Sequence, residues 1–192
     1  MSAILQLGDP RLRLTSAPVT PDDPQLRHDL ADLASALASF RAEQGWGRAV
    51  SLPQLGIPKR AIVFDLGAGP FFMLNPEVEW LSAESFELWD DCMCMPSIAV
   101  KVRRACSLSV SFLDESMRAR RLERVARDVS ELVQHELDHL DGILFTDRMI
   151  PDWGVVARSL RDIATPTESK NREICTSPVE CSRPTIPDIG AT

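Results

Sequence analysis

The apolar positions of this chain fall into two helical stripes with strand-like runs between them. Leu26, Leu30, Leu33, Leu37 and Phe40 recur on one face of a segment running from Leu26 to Ala42, the spacing of an amphipathic helix. From Ala126 to Leu140 there is no Pro or Gly, and Val129, Leu132, Val133, Leu137 and Leu140 repeat at the same period. That predicts a second helix, with Gly142 as its stop. Arg60 to Leu66 and Phe71 to Leu74 are apolar runs separated by Gly67-Ala68-Gly69-Pro70, a hairpin signal. Asn75-Pro76 is expected to end the second strand, and Glu77 to Leu81 continues the sheet by partial alternation. Val100 to Phe112 alternates and reads as one strand; Met117 to Val125 reads as its basic partner across the turn at Asp114-Glu115-Ser116.

The ends are less regular. Gly8-Asp9-Pro10 predicts a turn between two short extended segments, Ile4 to Leu7 and Arg11 to Leu14. Pro21 to Pro24 is a further turn. Val155 to Ile163 is expected to form a short helix. From Thr165 the chain is dominated by Pro, Ser, Thr, Lys and Glu, so residues 165–192 are expected to be a disordered tail behind a domain spanning residues 1–164. The residue pattern gives two helices and six or seven short strands.

Composition narrows the class. The chain has 192 residues, 44% apolar and 26% charged, ordinary for a globular domain with a tail. A net charge of −7 disfavours a nucleic-acid surface. No apolar run approaches the ~20 residues needed to cross a bilayer, so no membrane association is expected. Met1 to Arg11 shows no basic stretch leading into an apolar core, so no signal peptide is expected. Five cysteines do not form a disulfide framework, and a reducing cytoplasm fits them. Cys175 and Cys181 fall in the expected tail.

The candidate chemistry sits on the second helix. His135 and His139 are four apart, so both rings lie on one face and can reach a single metal ion. Glu136 stands where a general base takes a proton from metal-bound water. Only one other histidine exists, His28, and it lies off its own helix's apolar stripe. Upstream, Cys92 and Cys94 flank Met93. A thiolate is a strong ligand for a borderline-soft divalent ion, though free cysteines also serve as small buried hydrophobes. Gln54, in the loop Gly45 to Gly56, carries an amide donor suited to a developing oxyanion.

Residues 4 to 150 resemble peptide deformylases. Three motifs carry the resemblance. Gly47-Arg48-Ala49-Val50-Ser51-Leu52-Pro53-Gln54 is similar to a Gly-x-Gly-φ-Ala-Ala-x-Gln element. Asp90-Asp91-Cys92-Met93-Cys94 is similar to Glu-Gly-Cys-φ-Ser. Gln134 to Gly142 matches Gln-His-Glu-x-Asp-His-φ-x-Gly in full. The resemblance implies an α+β fold, with antiparallel strands around the second helix, which agrees with the two helices and six or seven short strands of the residue pattern. It also implies a hydrolase that removes the formyl group from the N-terminal methionine of new polypeptides. It implies that Cys92, His135 and His139 hold one divalent metal, Fe²⁺ foremost, with Zn²⁺, Ni²⁺ or Co²⁺ as substitutes. Glu136 would be the base. Gln54 and the backbone N–H of Met93 would stabilise the oxyanion, and Gly47, Arg48 and Ala49 would pair with the substrate. Its partners would be the nascent formyl-Met chain and the ribosome.

The departures are Ala49 for a glycine, Ser51-Leu52 for Ala-Ala, Asp90 for a glutamate, Asp91 for a glycine and Cys94 for a serine. Leu52 is expected to add bulk near the pocket, and Arg104 to pair with Asp90. Two other readings use the same helix. A zincin-like peptidase would need a downstream ligand, Glu168, Glu173 or Glu180. A homologue without catalysis would keep the metal alone.

Overall fold

A computed structural model describes residues 4–160. Helix α1 (Leu26–Gln44) is followed by strands β1 (Ala49–Ser51), β2 (Ala61–Asp65), β3 (Pro70–Leu81), β4 (Ser85–Cys92), β5 (Met95–Ala105), β6 (Leu108–Leu113) and β7 (Ala119–Leu122). Helix α2 (Arg127–Leu140) and strand β8 (Val155–Ala157) complete the order. One sheet of five strands runs β1-β2-β3-β6-β7, and a second of three runs β4-β5-β8. All strand pairs are antiparallel.

The five-stranded sheet is covered on both faces, which explains why β2 is apolar from Ala61 to Phe64 rather than alternating. Ala61 and Val63 pack with Leu30, Leu33 and Leu37 of α1. Ile62 and Phe64 point the other way, into a cluster with Leu132, Val133 and Leu140 of α2. A third cluster joins Cys92, Cys94, Val100 and Val102 to Leu12 and Phe145. Helix α2 therefore lies where the two sheets meet.

Four local expectations need correction. Arg11 to Leu14 is not extended: Pro10–Arg13 forms a 3-10 turn, started by the Asp9 carboxylate, which accepts from the Arg11 N–H at 2.9 Å. Asn75-Pro76 does not end β3. Asn75 takes a left-handed φ of 49°, its side chain clasps Val19 through two hydrogen bonds of 2.8 and 2.9 Å, and the strand runs on past an irregularity to Leu81. The alternation from Val100 to Phe112 is two strands in different sheets, β5 and β6. No Gly or Pro marks the corner between them; it is held by Ser107, whose N–H donates to Ser82 Oγ at 3.1 Å and whose hydroxyl donates to the Val125 carbonyl at 2.8 Å. Residues 155–157 are a strand paired with Ile98–Val100, in keeping with two adjacent β-branched valines. The expected helix beyond residue 160, and the expected tail with Cys175 and Cys181, lie outside the described residues.

Helix α2 ends as the sequence predicts. Gly142 has φ 72°, and a Cβ there would stand 2.5 Å from the Arg13 carbonyl oxygen. Gly45, after α1, has φ 74° with nothing within 4 Å. Gly45→Ala should cost only left-handed strain, about 1–2 kcal/mol. Gly142→Ala adds a backbone clash and should cost roughly 2–4 kcal/mol. Urea unfolding of the two variants measures the difference; equal losses would contradict the close approach of the Arg13 segment.

Candidate metal centre and cleft

Helix α2 carries polar side chains into the interior because neighbouring elements satisfy them. Gln134 ties the helix to the end of β5: its Nε2 donates to the Ala105 carbonyl at 3.1 Å, and its Oε1 accepts from the Ala105 N–H at 3.1 Å. Ser130 Oγ donates to the same carbonyl at 2.9 Å. With the helix so placed, His135, Glu136 and His139 are all buried against the last residues of β4 and the turn after it.

Asp90 organises the histidine side. Its carboxylate meets His135 Nδ1 at 2.9 and 3.0 Å, and its Oδ2 accepts from Arg104 Nη2 at 3.0 Å. Arg104 also donates to Asp138 at 2.5 Å, and Asp138 accepts from Arg148 Nη2 at 2.7 Å. The expected Asp90–Arg104 pair is present. The contact to His135 and the extension through Asp138 to Arg148 were not foreseen, because their partners lie 45, 34 and 10 residues apart in sequence. Burial alone would raise the Asp90 carboxyl, but the charges of His135 and Arg104 outweigh it and bring it down to about 2. Burial alone would lower His135; the Asp90 carboxylate outweighs that and raises it to about 9. The same contact fixes the ring, leaving Nε2 as its remaining donor atom.

Glu136 lines the cavity, and its Oε2 has no hydrogen-bond partner among the described residues. Burial pushes its carboxyl up to about 7, against the opposing pull of His135 and the Ser51 hydroxyl. A group near neutrality can both take and return a proton.

The sulfur side is denser than expected. Cys92 Sγ stands 3.2 Å from His139 Nε2. Cys92 Sγ, Cys94 Sγ and a ring nitrogen of His139 all lie within 4.8 Å of one another, and all three residues are buried. Tetrahedral sites with bonds of about 2.0–2.3 Å hold their donors at comparable separations, so these residues fit a divalent ion. His135 is not in this tightest set; its ring stands 5.0 Å from that of His139, centroid to centroid. Burial raises the Cys92 thiol well above its ordinary range, while the hydrogen bond from Cys92 lowers Cys94. His139 is pushed well below its ordinary range by burial and by the charge of His135, which keeps the imidazole neutral, as a ligand must be.

Gln54 faces the same place. Its Oε1 accepts from the Ser51 N–H at 2.8 Å and the Ser51 hydroxyl at 2.9 Å. The amide is therefore oriented with Nε2 toward the sulfurs, at 3.5 Å from Cys94 and 3.8 Å from Cys92. Ser51, a departure from the family pattern, is what holds it. Leu52 does not add bulk to the cleft; it is fully buried in the α1 cluster.

Gly47, Arg48, Ala49, Gln54, Cys92, Met93, His135 and Glu136 all border one cavity of about 380 Å³. Strand β1 is the first in its sheet, so one of its edges is free to accept another strand. Gly47 has φ 117°, and a Cβ there would run into the Met93 methyl. Arg48 pairs with Glu131 of α2. Asp91, in place of a glycine, accepts from Arg158 Nε at 2.6 Å, and the Arg158 guanidinium lies 3.7 Å over the Trp46 ring. Nothing in the sequence marked Arg158; it reaches the rim because β8 pairs with β5. His28 is exposed and remote from these residues. Glu168, Glu173 and Glu180 lie outside the described residues.

Comparison with known proteins bears on the family and the fold. The family described as polypeptide deformylase matches residues 1–152. A peptide deformylase of Thermotoga petrophila is 31% identical over 166 residues, covering 85% of this chain and 97% of that protein. The crystal structure of the Thermotoga maritima peptide deformylase superposes with a TM-score of 0.71 at 30% identity, covering 79% of this chain and 99% of that one. A Synechococcus elongatus peptide deformylase, solved in complex with actinonin, gives 0.70 at 31% identity over 77% of this chain and 78% of its own.

Asp90→Asn keeps the shape but removes the charge that orients His135. Outer-shell partners of this kind are worth about 10–100-fold in metal affinity. Chelator competition on Asp90→Asn should show a loss of that order; unchanged affinity would contradict the role given to Asp90.

Proposed function

The chain belongs to the polypeptide deformylase family, and from that premise we propose that it hydrolyses the formyl amide at the N-terminal methionine of newly made polypeptides, releasing formate and a free amine. The observation that supports this most is the meeting of Glu136, Gln54 and Cys92 on the wall of one cavity, with His139 Nε2 3.2 Å behind the Cys92 sulfur and the edge strand β1 bordering the same cavity.

Cys92, His135 and His139 would hold one divalent metal, Fe²⁺ in this reading, with Zn²⁺, Ni²⁺ or Co²⁺ able to replace it. When bound, such an ion supplies Lewis acidity to the formyl oxygen and lowers the pKa of water. His135 would give up its proton to serve as a ligand, and the nearby positive charge would favour the carboxylate form of Glu136. Glu136 accepts a proton from the attacking water and then returns it to the leaving amine. The Gln54 Nε2 and the Met93 N–H donate to the oxyanion as the formyl carbon becomes tetrahedral. The substrate backbone adds as a strand beside Gly47, Arg48 and Ala49, which lays the formyl end toward Glu136.

In this reading the substrate is the start of a nascent chain, and the enzyme would work in the cytoplasm near the ribosome. No described helix is long and apolar enough to cross a membrane. Net charge of −7 supports binding to peptide rather than directly to nucleic acid.

Formate release from formyl-Met-Ala-Ser tests the proposal. The metal-loaded protein should release formate, and Glu136→Gln should slow turnover by about 10²–10⁴ while keeping its metal. Absence of release from the metal-loaded wild type would overturn the proposal. Loading and assay without oxygen should give the Fe²⁺ form the highest activity, lost in air; an Fe²⁺ form indifferent to air and slower than the Zn²⁺ form would reject Fe²⁺ as the working metal.

A further inference from the structure

We infer that Cys94 is itself a metal ligand, so that the ion is held by two thiolates rather than one. The inference rests on the metal site just proposed and extends its ligand set. Cys94 Sγ belongs, with Cys92 Sγ and a His139 ring nitrogen, to the tightest group of donor atoms, all within 4.8 Å. Cys94 is 2% exposed and, unlike Cys92, does not border the cavity. It therefore approaches from the interior; with Cys92, His135 and His139 it would make four protein ligands, so water or substrate would add as a fifth from the cavity side, where Cys92 and His135 stand.

The surroundings of Cys94 are those of a thiolate rather than of a small buried hydrophobe. Gln54 Nε2 points at its sulfur at 3.5 Å, an outer-shell donor of the kind that supports anionic ligands. The turn that carries it is pinned from both sides: the Leu7 N–H donates to the Cys94 carbonyl at 2.9 Å, and the Cys94 N–H reaches Cys92 Sγ at 3.4 Å. A one-residue spacing with these anchors presents two sulfurs to one point. The Sγ–metal bond forms as the thiol proton leaves to solvent, and no redox change is involved.

Two consequences follow for the site. Two thiolates balance the charge of a dication, where one leaves it net positive. They also soften the donor set and move preference toward Zn²⁺ relative to a one-thiolate site.

The test counts sulfurs. The full-length chain carrying Cys175→Ser and Cys181→Ser is loaded with one equivalent of Zn²⁺, and X-ray absorption at the zinc edge should show two sulfur neighbours. The same protein with one equivalent of Co²⁺ should show a sulfur-to-cobalt charge-transfer band that loses roughly half its intensity in Cys94→Ser, with the ion still bound. One sulfur at the zinc edge, or a band unchanged by Cys94→Ser, would overturn the inference. The zinc measurement needs no variant at position 94, so misfolding of Cys94→Ser cannot leave the question open. Formate release from the same preparations is a separate readout: release with one sulfur rejects the second thiolate and keeps the deformylase reading, and two sulfurs without release does the reverse.

Discussion

The carboxylate of Asp90, buried and shared between an imidazole and a guanidinium, is the contact on which the arrangement of α2 depends. A helix that turns His135, Glu136 and His139 inward brings polar and ionisable groups out of water, which is costly unless each finds a partner. Asp90 partners His135, Arg104 partners Asp90 and Asp138, and Arg148 closes the chain at the surface. Removing one member of such a buried set typically costs 3–5 kcal/mol. The shorter Asp90, in place of the family glutamate, still meets both partners; Arg104 stands opposite Phe86 on the paired strand and reaches back along it to Asp90. Of the five buried side-chain atoms left without partners among the described residues, Glu136 Oε2 and His139 Nδ1 belong to the two helix residues outside this network, and Arg104 Nε lies within it.

The departures from the family pattern take on local reasons once placed. Ser51 locks the Gln54 carbonyl so that the amide donor faces the sulfurs. Asp91 recruits Arg158, which stacks on Trp46 at the rim of the cavity. Cys94 brings its sulfur within 4.8 Å of Cys92 Sγ and a His139 ring nitrogen. Ala49 keeps its place on a free strand edge, where what pairs with substrate is backbone, not side chain.

Much of this was legible in the sequence, and the pattern of what was not has physical causes. Both helices are visible because their apolar faces pack on one sheet and so obey a single period. The motif from Gln134 to Gly142 announces itself because a helix fixes neighbours by spacing alone. Strand β4 carries no clean alternation, since it ends by delivering Asp90, Asp91 and Cys92 to the site, and it was not foreseen. The corner at Cys106-Ser107 was invisible because side-chain hydrogen bonds from Ser107 make it, with no Gly or Pro. Asp90 with His135, and Arg158 with Asp91, are pairings between distant segments, which local pattern does not encode.

The most direct measurement is an anomalous-scattering map of the protein crystallised with its metal. The account predicts one strong peak between α2 and the turn after β4, within bonding distance, roughly 2.0–2.4 Å, of Cys92 Sγ and His139 Nε2 and open toward the cavity. A peak elsewhere, or none at this place in crystals that still release formate, would contradict it.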